Sequence, residues 1–141
     1  MSLFLMVLMK KKNAVRLSLL PMTISLLILI LFRFVFLLGY VPTASMEPAL
    51  KTGSLLLGVR VWGDIQKGDI IVFRHNKEYL VKRVEAVEGD LIESNGENLV
   101  VPEGGFYVLG DNGQCSYDSR YWEYPFVMND DIVAKVILPT R

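Results

Sequence analysis

The sequence predicts a small, mostly antiparallel all-β domain behind a single N-terminal transmembrane helix. Three observations carry that expectation. Residues 17–38, LSLLPMTISLLILILFRFVFLL, hold one charge, Arg33, in an otherwise apolar run. Beyond Leu50 the apolar residues fall into short runs split by Gly, Asp and Asn, the pattern of strands and turns. After residue 38 no segment of useful length has helical period.

As a helix, the apolar run would span roughly 33 Å at about 1.5 Å per residue, enough for a hydrocarbon core about 30 Å thick. Pro21 falls in the first turn of such a helix, where its missing N–H costs little. Arg33 lies near the other end and can snorkel to the interface. The basic cluster KKKNAVR (residues 10–16) precedes the run, which places the N-terminus in the cytoplasm and the rest of the chain outside it. A cleaved signal peptide is the rival reading, because Thr43-Ala44-Ser45 offers small residues. Its apolar region would run only about 7–15 residues, so a retained anchor is expected. Met9, followed by three lysines, would make an ordinary start, and the first eight residues read as an over-extended beginning. The expected organisation is residues 1–16 cytoplasmic, 17–38 the anchor and 39–141 an extracytoplasmic β domain.

In that domain the candidate strands are residues 55–61, 69–74, 79–87, 91–94, 99–101, 106–109 and 132–137. Asn95-Gly96 is a two-residue hairpin signal, and Lys67-Gly68-Asp69 and Glu88-Gly89-Asp90 read as turns. Charge narrows the partners. The first 46 residues carry five basic groups and no acid, while the remainder has a formal net charge of −5. An acidic domain does not suit nucleic acid, whose phosphates need a concentrated positive surface. Cys115 is the only cysteine and His75 the only histidine, so no intramolecular disulfide can form, and neither a structural zinc site nor another cofactor is expected. His75 reads as a surface residue.

Two residues stand out chemically. Ser45 sits in PTASMEPAL between Pro42 and Pro48, which restrict the backbone on both sides. Lys82 sits in YLVKRVEAV, where period-two alternation puts it on one face with Leu80, Val84 and Ala86. Burial on an apolar face lowers a lysine pKa and can make the amine a base near neutral pH. Such an amine can activate a serine without histidine. A snorkelling edge lysine and an ordinary loop serine are the bland alternatives, and alternation alone does not bring the two together.

The ordered motifs PTASMEPAL, KGDIIVFR, YLVKRV and GDNGQCSYDSRYW behind an N-terminal anchor resemble those of bacterial type I signal peptidases, membrane-bound serine proteases with a Ser/Lys dyad. The short chain resembles their minimal Gram-positive form, without the large inserted β domain. The resemblance implies that Ser45 is the nucleophile and Lys82 the general base. It implies that the Thr43 hydroxyl and the Ser45 amide serve the oxyanion, and that Ser116 hydrogen-bonds and orients the lysine amine. Asp118 and Arg120 would pair to brace their loop, with Asp111 and Asn112 shaping its turn. Ala49, where threonine is common, and the connection EAVEGD depart from the family pattern. Cys115 is given no catalytic part.

The implied substrates are the signal peptides of secreted preproteins, with phospholipid as a second partner and pilin-type substrates left open. A nucleophile so close to the anchor would meet a cleavage site emerging at the same bilayer face. The substrate would bind extended by strand addition, with pockets for small residues at the first and third positions before the cut. Met46, Leu50, Leu80 and Val81 are the candidate pocket walls, while Phe73, Phe106 and Trp122 could dip into lipid or pack in the core. The rival functions are a non-enzymatic accessory or chaperone protein of pilus-type assembly, a self-cleaving repressor of the same dyad type, and a structural anchored β protein.

Overall fold

The computed structural model describes residues 3–94 and 96–139, with side chains from Leu19 onward. The chain divides at Val35/Phe36 into a helical unit and a β unit.

The helical unit is a single helix, α1 (Leu3–Val35). The basic cluster at residues 10–16 and the candidate start at Met9 lie outside the residues whose side chains are described. Because α1 begins at Leu3, Pro21 falls inside the helix rather than in its first turn. Lysine, arginine, alanine and leucine are good helix formers, so the segment before the proline has no local reason to break. From Leu19 to Phe34 the large apolar side chains of α1 are exposed. Among the described residues no helix is long and apolar enough to cross a membrane.

The β unit is antiparallel throughout. Its strands are β1 (Phe36–Tyr40), β2 (Leu55–Val59), β3 (Ile70–His75), β4 (Glu78–Val87), β5 (Leu91–Ser94), β6 (Glu97–Val100), β7 (Gly105–Leu109), β8 (Phe126–Met128) and β9 (Ile132–Leu138). Seven of them form one sheet in the order β1-β2-β9-β3-β4-β7-β8, and β5 pairs with β6 in a separate hairpin. That hairpin joins Ser94 opposite Glu97. Gly96 has the positive φ of 80° its turn requires, while Asn95 lies outside the described residues.

Two strands escape local pattern. Residues 36–38 continue the apolar run and read as helix, yet they pair with β2 from Phe36↔Val59 to Tyr40↔Leu55. A short apolar segment suits either state, and the partner strand decides. β8 is three residues long, too short for alternation to register.

The sheet is buried on both faces at β3. Ile70 and Val72 join Val41, Met46, Leu50 and Leu56 in one cluster. Ile71 and Phe73 join Val84, Val108, Trp122 and Ile132 in the other. Each fully buried side chain of this size contributes about 1.5–3 kcal/mol relative to exposure. Phe73 and Trp122 are therefore core residues, 6.0 Å apart edge to face, and Phe106 packs beside them. His75 also has a partner: its ring stacks on Trp122 at 4.1 Å.

Candidate active site

Three segments build the site. After β1 the chain turns through a one-turn 3-10 helix, Ala44–Met46, which buries Ser45 and Met46. The β4 strand supplies Lys82. The loop after β7 supplies residues 110–120.

Lys82 Nζ donates to Ser45 Oγ at 2.8 Å across 37 residues of sequence. Lys82 is 3% exposed and Ser45 9% exposed. Thr43 Oγ1 lies 3.3 Å from Ser45 Oγ, and either hydroxyl could donate. Alternation along β4 explains the lysine's burial, because Lys82, Val84 and Ala86 are buried in step while Glu85 is exposed. Burial pushes the Lys82 ammonium pKa below the ordinary lysine value of 10.5. The Asp118 carboxylate opposes that shift, Arg120 adds to it and Asp111 opposes it.

Behind the lysine lies a buried carboxylate. Asp118 is fully buried, and burial alone would raise its pKa. Hydrogen bonds outweigh burial: Arg120 donates through Nε and Nη2 at 2.8 Å each, the Gly110 amide donates at 2.9 Å and Ser116 Oγ at 2.6 Å. They hold the carboxyl at about 2. The hydroxyl of Ser116 is thus committed to Asp118, and among the described contacts no bond joins Ser116 to Lys82. The hydroxyl's one proton goes to the ionised carboxylate, the stronger acceptor, while its oxygen keeps lone pairs able to accept from an ammonium. Asn112 acts through its main chain, its amide donating to the Ser45 carbonyl at 3.0 Å.

Two residues here have no local signal in the sequence. Arg83 donates to both oxygens of Asp111, at 2.8 and 2.7 Å, and also to the Gly68 carbonyl at 2.7 Å. Parity along β4 says only that Arg83 faces away from Lys82. Gly110 is the second: a methyl placed on it would press on Ser116 Oγ and lie 2.6 Å from the Ser45 carbonyl oxygen. The juxtaposition of motifs, not any local spacing, demands glycine there.

The pair opens into a groove of about 760 Å³. Met46, Leu80 and Val81 line it. Leu50 does not, being fully buried in the core cluster around Met46 and Leu56, where the turn after Pro48 directs it inward. Among the described residues, the N-terminal half of β4 before Arg83 pairs with β3 alone, since β7 meets it from Arg83 to Val87. The groove is bordered by this free edge and by residues 37–43. Among the described residues no cluster of side chains could hold a metal ion.

The class the fold and site define is thus a small antiparallel β domain in which a buried amine meets a buried serine hydroxyl at a largely apolar groove. A family model for signal peptidase, peptidase S26, matches residues 14–101 and 95–140. The chain belongs to that family. It is 28% identical over 135 residues to signal peptidase I of Leptolyngbya laminosa, covering 70% of this chain and 66% of that protein. It is 29% identical over 138 residues to signal peptidase IB of Staphylococcus aureus, covering 65% of this chain and 71% of that protein. The match with the first thus spans slightly less than two thirds of its length.

Proposed function

We propose that this chain is a membrane-anchored serine endopeptidase that removes signal peptides from exported preproteins through a Ser45/Lys82 dyad. The observation that carries the reading is the 2.8 Å contact between Lys82 Nζ and Ser45 Oγ, with both residues buried. In its neutral form the Lys82 amine accepts the Ser45 hydroxyl proton as Oγ attacks the scissile carbonyl. The developing oxyanion is met by the Ser45 amide and the Thr43 hydroxyl. The lysine ammonium returns its proton to the leaving amine, and a water activated by the same amine then hydrolyses the acyl-enzyme. Asp118 keeps Arg120 paired and Ser116 fixed, so the loop against Lys82 stays rigid. Asp111 does the same for Arg83.

The substrate segment adds as a strand along the free edge of β4, with Met46, Leu80 and Val81 forming walls for small side chains. Support for the anchor comes from the apolar run at residues 17–38 and from the exposed apolar side chains of α1 between Leu19 and Phe34, a surface suited to lipid. The anchor would hold the catalytic unit at the extracytoplasmic face of the cell membrane, N-terminus inside, where phospholipid is its second partner. Pilin-type preproteins belong among the substrates to be tried. No feature of the site favours the assembly-accessory reading.

The test is incubation of the full chain, in detergent and phospholipid, with secretory and pilin-type preproteins, beside Ser45→Ala and Lys82→Ala. Mass spectrometry should find a cut after an A-x-A-like site in the wild type and none in either variant. Absence of cleavage across the set overturns the proposal.

A further inference from the structure

Four antiparallel steps, β1–β2–β9–β3–β4, make β1 and β4 run in the same direction. Both lead toward the dyad, β1 into Thr43 and Ser45, β4 into Lys82. The groove between them therefore has a remote end at the starts of the two strands. The distance from Lys82 back to Glu78 is four residues, about 13 Å at roughly 3.3 Å per residue.

Most of the lining along the way is apolar or aromatic, but the remote end is polar. Arg60 reaches it from the end of β2, level with the start of β1 because Val59 pairs with Phe36. His75, Asn76 and Glu78 reach it from the β3–β4 turn. His75 is occupied by Trp122 and Asn76, whereas the buried Nε of Arg60 has no hydrogen-bond partner among the described residues. No carboxylate forms an ion pair with Arg60 among the described residues. A buried N–H left without an acceptor costs about 1–3 kcal/mol. Arg60 as a whole is only partly buried and lines the groove, so its guanidinium can meet a ligand there.

We propose that Arg60 is a specificity-determining residue whose guanidinium receives a hydrogen-bond acceptor, best a carboxylate, on the fifth or sixth substrate residue before the scissile bond. The inference rests on the peptidase reading for the position of that bond. An extended segment with its cut at Ser45 places those residues at the remote end by length alone. An anionic or carbonyl group there completes the Arg60 hydrogen bonds, and a cation there meets a like charge in a half-enclosed groove.

Binding separates the two claims. The probes are fluorescent peptides with an A-x-A-like site and Asp, Gln, Leu or Lys at the fifth or sixth position before the cut. Their affinities are measured on the full-length Ser45→Ala chain in detergent, then with Arg60→Met or Arg60→Lys added. The expected result is binding of the Asp peptide about tenfold or more above the Lys peptide. That preference should vanish in Arg60→Met and return only in part in Arg60→Lys, which keeps the charge but loses the planar guanidinium fork. Equal affinities, no binding of any peptide, or a preference that survives Arg60→Met overturns the proposal. Cleavage of the same peptides by the wild type is scored separately. An Arg60-dependent preference without cleavage leaves the subsite standing and removes the peptidase reading.

Discussion

The main-chain amide of Asn112 donates to the carbonyl of Ser45 at 3.0 Å. One residue thus has its hydroxyl against Lys82 and its carbonyl against the loop that carries Asp118. Distortion of that loop is felt at Ser45, the proposed nucleophile, even where no loop side chain touches substrate, and the expected effects of substitution follow from that linkage.

Gly110→Ala should be among the most damaging of small changes. The added methyl meets Ser116 Oγ and the Ser45 carbonyl, neither of which can move without breaking a hydrogen bond to Asp118 or Asn112. Overpacking of this kind costs about 1–3 kcal/mol. Thermal unfolding should show that loss, and peptide cleavage should fall further than stability accounts for at a temperature where the variant stays folded.

With the neutral Lys82 amine as the proposed base, cleavage should rise with pH through its depressed pKa and level off below 10.5. The stability consequence has a definite sign. Between the folded pKa and 10.5 the unfolded chain binds the extra proton, so Lys82 contributes stability that increases as pH rises through that window. Lys82→Met should remove both effects, lower kcat by at least about 10²–10⁴-fold and leave the fold intact or stabilised. Lys82→Arg should be inactive at every pH, because guanidinium does not deprotonate.

Thr43→Val removes a hydroxyl 3.3 Å from Ser45 Oγ and keeps the shape. If that hydroxyl serves the oxyanion, kcat should drop about 10²–10³-fold with KM little changed. A change confined to KM would assign Thr43 to binding instead.

For Asp118 the folded value of about 2 lies below the ordinary 3.8. Its contribution is present above pH 3.8 and is lost as pH falls toward 2, about 2 kcal/mol in all. Asp118→Asn should abolish that segment of the acid-side stability curve and destabilise the protein by about 2–3 kcal/mol at neutral pH, leaving Arg120 without its fork partner. Chemical denaturation across the acid range reads both.

The β3–β4 turn offers a stabilising change. Asn76 and Lys77 both have positive φ, 48° and 70°, and a lysine pays for that conformation where glycine does not. Asn-Gly is the preferred pair for such a turn. Lys77→Gly should raise unfolding stability by about 1 kcal/mol, measured by denaturant midpoint, with cleavage unchanged because Lys77 does not line the groove.

Much of this protein is legible in one dimension. Alternation along YLVKRVEAV is enough to place Lys82 with Val84 and Ala86 on a buried face, because side-chain direction in a strand depends only on parity. The turn signals at Gly68, Gly89 and Gly96 are equally local, since positive φ is a property of the residue itself. Allocation of partners is another matter. That Ser116 bonds Asp118 and not Lys82, that Arg83 forks onto Asp111, that Leu50 goes to the core and that His75 lies on Trp122 all depend on which strands neighbour which. So does the conversion of residues 36–38 from apparent helix to strand, which needs β2 as its hydrogen-bonding partner. Local sequence sets the direction a side chain faces. What it faces is decided by pairings between distant segments, and only the folded chain brings those together.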